Sequence, residues 1–160
     1  MGCGSWTRDS YVSYSATKGM SVSLDGSIGG SYSNQDMFKA RTIDSALNPK
    51  NAMRECCDTE EHPNTIPVIL ALDVTGSMGQ AAVEVAKKLN VIMTKLYEKV
   101  TDVEFLVMGI GDLACDSYPI QASQFESDIR IAEQLDKIYF EFGGGGNSYE
   151  SYTADRKSVV

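Results

Sequence analysis

The sequence predicts an α/β fold with a mainly parallel sheet, and three consecutive segments indicate it. Two short, continuous apolar runs, 67–72 and 103–110, are typical of strands buried on both faces. Between them, from Gly79 to Tyr97, apolar residues recur every three or four positions with polar residues on the other side, which predicts an amphipathic helix. A strand, a helix and a second strand form a unit in which the two strands are parallel and the crossover is right-handed.

The segment before the first strand predicts little regular structure apart from one helix. The first forty residues are rich in Ser, Gly and Tyr and poor in aliphatic side chains. We therefore expect a poorly determined extension, which either pairs as an edge strand or lies over the domain as an arm. Asn48 as N-cap and Pro49 at the first helical position predict a helix that runs to about Cys57.

Three further elements follow the second strand. Residues 118–122 predict a short third strand, and Ser127 with Asp128 predicts the cap of a helix whose apolar residues extend to Ile138. A glycine-rich loop, 143–148, then opens a new helix, and the chain ends almost at once.

The 160 residues suffice for one domain of ordinary size. We predict an N-terminal extension with a short helix over residues 1–64, the N-terminal part of an α/β domain over 65–154, and a tail over 155–160. One reading frame of a widely used sequencing adapter encodes the six tail residues, so the tail is expected to be an artefact and the domain incomplete at its C-terminus. A sheet of two or three strands covered on one side should leave both apolar runs half exposed, which predicts poor solubility.

Composition and charge argue against several classes of partner. A net charge of −8 and a pI near 4.6 disfavour nucleic acid and anionic membranes. No run approaches the roughly 18 to 20 apolar residues of a membrane span, and no signal peptide opens the sequence, so a cytoplasmic protein is expected. The cysteines, which lack the spacing of a disulfide framework and are expected to be reduced, are Cys3, Cys56, Cys57 and Cys115.

Side chains with metal-binding chemistry follow the first strand. Asp73 ends the strand, and Thr75 and Ser77 lie two and four residues further on. Ligands of doubly wound sheets bind beyond the carboxyl ends of the strands. One carboxylate and two hydroxyls are hard oxygen donors that suit Mg²⁺, with Mn²⁺ as an alternative, and they leave the ion short of negative charge. Asp112 follows the second strand at the same edge, where it either approaches the ion and its waters or is a solvated turn aspartate.

Asp73, Thr75 and Ser77, with Gly76 and Met78, resemble the Asp-x-Ser/Thr-x-Ser signature of von Willebrand factor A (VWA) domains. The loop 143–148 is similar to the second metal loop of that family, which normally supplies a Thr. That position falls here on Gly146, so Asn147 or Ser148 beside it would substitute, and the Asp of the third loop has no counterpart.

The resemblance covers residues 65–154. It implies a three-layer Rossmann-like VWA fold and a MIDAS-like metal site that binds a protein partner through the partner's carboxylate. It also implies that the protein is not an enzyme.

There are three alternatives to this interpretation. Asp73 could act as the nucleophile of a phosphate-handling hydrolase, but Thr75 stands where such enzymes have a second Asp, and the glycine-rich loop lacks the Lys of a P-loop. In a metal-free domain, Thr75 and Ser77 would cap the following helix. A zinc cluster around Cys56, Cys57 and His62 has the wrong spacing for a known motif, and His62 is the only histidine.

Overall fold

The computed structural model describes residues 4–100 and 102–141, and this part of the chain is a mixed α/β structure with one sheet of strand order β1-β2-β3. The strands are β1 (Ile66–Asp73), β2 (Val103–Ile110) and β3 (Ile120–Ala122). The helices are α1 (Arg8–Thr17), α2 (Asn34–Met37), α3 (Gly79–Lys87), α4 (Leu89–Tyr97) and α5 (Arg130–Asp136), with 3₁₀ turns at Ser45–Leu47 and Gly76–Met78. None of these helices has both the length and the apolar character needed to cross a membrane.

The predicted strand–helix–strand unit is confirmed. β1 and β2 are parallel, with Ile66 opposite Val103 and Asp73 opposite Ile110. The crossover is formed by α3 and α4, which are separated only by Lys88. The Lys88 amide still donates to the Glu84 carbonyl at 3.2 Å, and the Ile92 amide donates to the Lys88 carbonyl at 3.0 Å. The hydrogen bonds of the predicted helix therefore continue across this break.

The elements after β2 are also close to prediction. β3 is a short strand within the predicted range 118–122, and it runs antiparallel to β2, with Ile110 opposite Ile120. The Asp128 carboxylate accepts a hydrogen bond from the Arg130 amide at 3.0 Å at the start of α5. Asp128 therefore satisfies one of the amides that the first helical turn leaves without a partner.

The two apolar runs differ in how they are covered. Every residue of β2 is buried, and on one of its faces Leu106 and Met108 pack with Phe125 and Cys56. In β1, by contrast, Ile66 and Ile69 remain 48% and 41% exposed. The prediction that both runs are half exposed is therefore correct for β1 and wrong for β2, because loops from elsewhere in the chain cover the second face of β2.

Residues 4–47, here called the N-terminal arm, pack onto the helices. Trp6 and Tyr11 are buried in the same hydrophobic cluster as α3, α4 and α5. The Trp6 indole N–H donates to the Asn90 Oδ1 at 3.0 Å, and the Asn90 amide donates to the Gly26 carbonyl at 3.1 Å. The expected poorly determined extension is thus wrong for these residues, and the alternative of an arm over the domain is confirmed. Long-range contacts of aromatic side chains take the place of a local aliphatic core.

The helix predicted from Asn48 to about Cys57 is wrong. The Asn48 side chain accepts a hydrogen bond from the Lys50 amide at 3.0 Å, which makes a turn, and Asn51 has a φ of 59°. That left-handed backbone ends any right-handed helix at this point. The Arg54 guanidinium then donates to the Ala122 carbonyl at 3.2 Å, which holds the segment in an irregular path across the body of the molecule.

Candidate functional site

The parallel pairing brings the ends of β1 and β2 to one edge of the sheet. Asp73 and Ile110 are the paired last residues of the two strands, and the Val74 amide donates to the Ile110 carbonyl at 2.9 Å. The segments that carry Thr75, Ser77 and Asp112 therefore leave the sheet at the same edge. This is the place that the sequence predicts for a ligand site.

Asp73 and Thr75 are held together by two hydrogen bonds. The Thr75 amide and the Thr75 hydroxyl both donate to the Asp73 Oδ1, at 2.9 Å and 2.5 Å. Thr75 has extended backbone angles, φ −66° and ψ 154°, so the chain turns away from the strand and the threonine side chain points back at the carboxylate. A carboxylate oxygen and a hydroxyl oxygen consequently lie side by side, half-buried, at the edge of the sheet.

Ser77 lies in the exposed 3₁₀ turn Gly76–Met78, directly before α3. Thr75 precedes the turn and Met78 precedes α3, and neither makes a side-chain capping hydrogen bond. The hypothesis that Thr75 caps the following helix is therefore wrong, because its hydroxyl is directed at Asp73 instead. Ser77 is not the N-cap residue of α3 either.

The start of α3 is fixed by α2. The Asn34 side-chain amide donates to the Gly79 carbonyl at 3.1 Å. A Cβ at Gly79 would lie only 3.1 Å from the same Asn34 nitrogen, so a larger residue at position 79 would require the Asn34 side chain to shift. The N-terminal arm thus positions the loop that carries Asp73, Thr75 and Ser77.

Asp112 is only 6% exposed, so the alternative that it is a solvated turn aspartate is wrong about solvent exposure. It does organise a turn: its Oδ1 accepts from the Ala114 amide at 2.8 Å, and its own amide donates to the Asp116 Oδ2 at 2.7 Å. The turn therefore holds two carboxylates, those of Asp112 and Asp116, at the edge of the sheet where Asp73 lies.

The predicted second-loop ligands, Asn147 and Ser148, lie outside the described residues, as do the rest of the loop 143–148 and the tail 155–160. Within residues 4–100 and 102–141, no group of three or more His, Cys, Asp and Glu side chains is placed to hold a metal ion. A metal site at this edge would accordingly depend on the hydroxyls of Thr75 and Ser77 as well as on carboxylates. Hydroxyl and carboxylate oxygens are compatible with Mg²⁺ and Mn²⁺.

A cleft of about 500 Å³ lies between the segments 35–41 and 139–141. Phe38 and Phe140 pack against each other, with ring centroids 4.7 Å apart, and both line the cleft. Lys39 and Arg41 also line it, and neither has an ion-pair partner in the described part of the chain. The one acidic side chain of the lining is Glu141, whose carboxylate accepts hydrogen bonds from the Ser117 and Tyr118 amides. No local pattern could predict this basic cleft, because its two sides are about a hundred residues apart in the chain.

His62 is a buried side chain, with only 4% of its surface exposed. Its Nδ1 lies 2.7 Å from the Asp102 Oδ1 and its Nε2 lies 3.1 Å from the Gly4 carbonyl oxygen. Because both ring nitrogens already have partners, the alternative of a zinc cluster formed by His62 with Cys56 and Cys57 is wrong. No local pattern could have revealed these contacts, because the partners are 40 and 58 residues away in sequence.

Comparison of the chain with protein-family models, with curated protein sequences and with solved structures found no match.

Proposed function

We propose that residues 73–78 form the metal-binding loop of a VWA-like module, which binds a protein partner through Mg²⁺ or Mn²⁺. Asp73, Thr75 and Ser77 would be ligands, with Asn147 and Ser148 from the second loop. The observation that carries this proposal is the pair formed by the Asp73 carboxylate and the Thr75 hydroxyl, 2.5 Å apart at the carboxyl edge of a parallel strand pair. A three-layer Rossmann-like VWA fold is part of the proposal, and the observed parallel β1-α3-α4-β2 unit supports it.

The chemistry of these ligands explains why a partner would be needed. Mg²⁺ takes about six oxygen ligands and usually keeps several waters. Asp73 supplies one negative charge, whereas Thr75 and Ser77 are neutral, so the ion remains electron-poor after the loop has bound it. Asp112, at the same edge, would orient metal-bound water. A carboxylate from the partner would complete the coordination and neutralise the remaining charge.

The basic cleft supports a partner that carries negative charge. α2 connects the two regions, because its Asn34 contacts Gly79 while its Gln35 lines the cleft. The chain as a whole has a net charge of −8, so an acidic partner would be repelled over most of the surface. Lys39 and Arg41 provide local attraction near the loop, which would direct the partner to this side of the molecule.

The geometry gives less support to a phosphate-handling hydrolase. The Thr75 hydroxyl donates to Asp73, and Thr75 stands where such an enzyme has its second Asp. His62 precedes β1 and is therefore at the opposite end of the strand from Asp73. The proposed module binds its partner and catalyses no reaction.

A calorimetric titration with Mn²⁺ tests the ligand assignment. Asp73→Ala should weaken Mn²⁺ binding by roughly tenfold or more, because a metal site loses about that much when one supporting group is removed. Thr75→Val should also weaken binding, whereas Thr75→Ser, which keeps the hydroxyl, should retain it. Glu98→Ala, which removes an exposed carboxylate at the end of α4, is the control for non-specific attraction and should leave the affinity unchanged. Equal affinity in the wild type and in Asp73→Ala would refute the assignment.

A further inference from the structure

We propose that His62 is a proton-dependent latch, which fastens the N-terminal arm to the sheet only while its imidazole carries two protons. The latch consists of Gly4 in the arm, His62 in the turn before β1, and Asp102 directly before β2. It is separate from the proposed metal loop, because it lies at the other end of the strands.

The imidazole ring of His62 has two polar neighbours. Nδ1 faces a carboxylate oxygen of Asp102 at 2.7 Å, and Nε2 faces the carbonyl oxygen of Gly4 at 3.1 Å. Both neighbours are acceptors that carry no hydrogen. A neutral imidazole has one N–H and can satisfy only one of them, whereas an imidazolium donates to both. The doubly protonated ring is therefore the form that fits this site.

The main chain that carries the ring is held in place. The His62 amide donates to the Thr59 hydroxyl oxygen at 3.0 Å, and the His62 carbonyl accepts from the Thr59 amide at 2.9 Å. The Asp102 carboxylate is also fixed, because its second oxygen accepts from the Asn64 amide at 2.8 Å. A neutral ring would keep its hydrogen bond to the charged acceptor, Asp102, and would turn a lone pair towards the Gly4 carbonyl.

The arm has further attachments near Gly4, so the latch controls its first residues and not the whole of it. The Gly4 carbonyl also accepts from the Ser127 hydroxyl, and Trp6 is anchored on Asn90. Losing the latch should loosen the chain at Gly4 and Ser5, next to Trp6, while the Trp6 anchor on Asn90 and the packing of α1 remain. Trp6 is the only tryptophan and lies two residues from Gly4, so it reports this change.

The charges around His62 set the direction of the pH dependence. Burial lowers its pKa, but the hydrogen bonds to Asp102 and Gly4 and the negative charges of Asp102 and Glu104 outweigh burial, so the pKa is raised above the ordinary 6.5. The contribution of the latch is consequently complete below the unfolded-state value of 6.5 and is lost as the pH rises through the higher folded-state pKa. Asp128 faces Gly4 and is paired with Arg130.

The direct test is a ¹⁵N NMR titration of the wild-type chain, in which the only imidazole signals belong to His62. We expect both ring nitrogens to carry protons at pH 6.5, with a midpoint above that pH. A singly protonated ring at pH 6.5, or a midpoint below that of a free histidine, would overturn the proposal.

A second measurement connects the titration to the arm. Trp6 emission should shift to longer wavelength as the pH rises through the His62 midpoint, and the shift should be missing in His62→Gln, which has no titrating proton. Burial, followed by the positive charge of Lys39, lowers the pKa of Lys18 to about 8. Titration of Lys18 in the wild type and in His62→Gln affects α1 equally, so it cancels when the Trp6 emission shifts of the two proteins are compared. An identical shift in the wild type and in His62→Gln would show that His62 does not hold the arm.

Discussion

β1 and β2 have similar amino-acid compositions but different environments in the molecule. Both are eight-residue strands made almost entirely of apolar side chains. β2 lies between two strands and is buried along its whole length, whereas β1 is an edge strand of the described sheet with two isoleucines at least 41% exposed. An apolar run thus predicts a strand, but neighbours from distant parts of the chain decide whether one face or both are covered.

The two ends of the strand pair also differ in their side chains. The edge where β1 and β2 end carries Asp73 and Asp112, while the opposite end carries His62, Asp102 and the buried Glu104. The first end has hydroxyl and carboxylate oxygens in a turn, and the second has a histidine between two acceptors. We therefore propose a metal ion at the first end and a bound proton at the second.

The largest difference in stability loss between substitutions in the two strands is expected at Ile69 and Leu106, which lie opposite each other in the sheet. Leu106 is completely buried, so Leu106→Ala should lower the free energy of unfolding by about 3 kcal/mol through lost burial and a residual cavity. Ile69 is 41% exposed, so Ile69→Ala should lower it by less than about 1 kcal/mol. Urea denaturation of both variants measures this difference. Equal losses would mean that the two strands are covered alike in solution.

A smaller effect, of opposite sign, is expected at Glu104 in β2. Its side chain is fully buried, and in the described part of the chain the weakly donating Cys56 thiol is the only hydrogen-bonding neighbour of its carboxylate. The neighbouring thiol of Cys56 has its pKa raised to about 12, first by burial and then by Glu104. Glu104→Met should raise the free energy of unfolding by about 1 to 2 kcal/mol, because an apolar side chain replaces a poorly satisfied buried carboxylate.

The matched control for Glu104 is the exposed Glu84 of α3, for which Glu84→Met should change stability by less than about 0.5 kcal/mol. The urea midpoints of the two variants give the comparison. If Glu104→Met is less stable than the wild type, the carboxylate has a stabilising partner that outweighs its burial.

The smallest change in stability is expected from a charge on the exposed face of β1. Ile69→Lys should alter the free energy of unfolding by no more than about 0.5 kcal/mol, because the side chain can extend into water. It should at the same time reduce self-association, since a lysine on an edge strand discourages pairing with another chain. Sedimentation velocity of the wild type and the variant over a range of concentrations tests this. Unchanged association would exclude the edge of β1 as the contact.

Local patterns in the sequence were sufficient for the strands and for the crossover helix. The apolar runs and the three-to-four-residue spacing between them specify β1, β2 and the helical segment, and parallel pairing then brings Asp73 and Asp112 to one edge. The Asn48-Pro49 pattern failed because Asn48 accepts from Lys50 in a turn and Arg54 reaches a carbonyl in β3. A capping pattern describes only the neighbouring amides, and it contains no information on such distant contacts.

Only part of the candidate site could be proposed from the sequence. Asp73 and Thr75 could be selected because the chemistry of the loop is local, although the hydrogen bond between them came only from the structure. The buried His62 and the basic cleft with Lys39 and Arg41 could not, because each is assembled from segments far apart in the chain. Long-range packing, which no short motif encodes, determines these features.

Paramagnetic Mn²⁺ in a two-dimensional NMR experiment tests the central claim most directly, because it shows where a metal ion binds. At a small fraction of one equivalent, Mn²⁺ should broaden the backbone amide signals of residues 73–79 and 111–116, and excess Mg²⁺ should restore them. The signals of α1, Arg8–Thr17, should remain sharp. Broadening spread over acidic surface residues such as Glu60 and Glu61, with residues 73–79 unaffected, would contradict the assignment of this loop as the metal site.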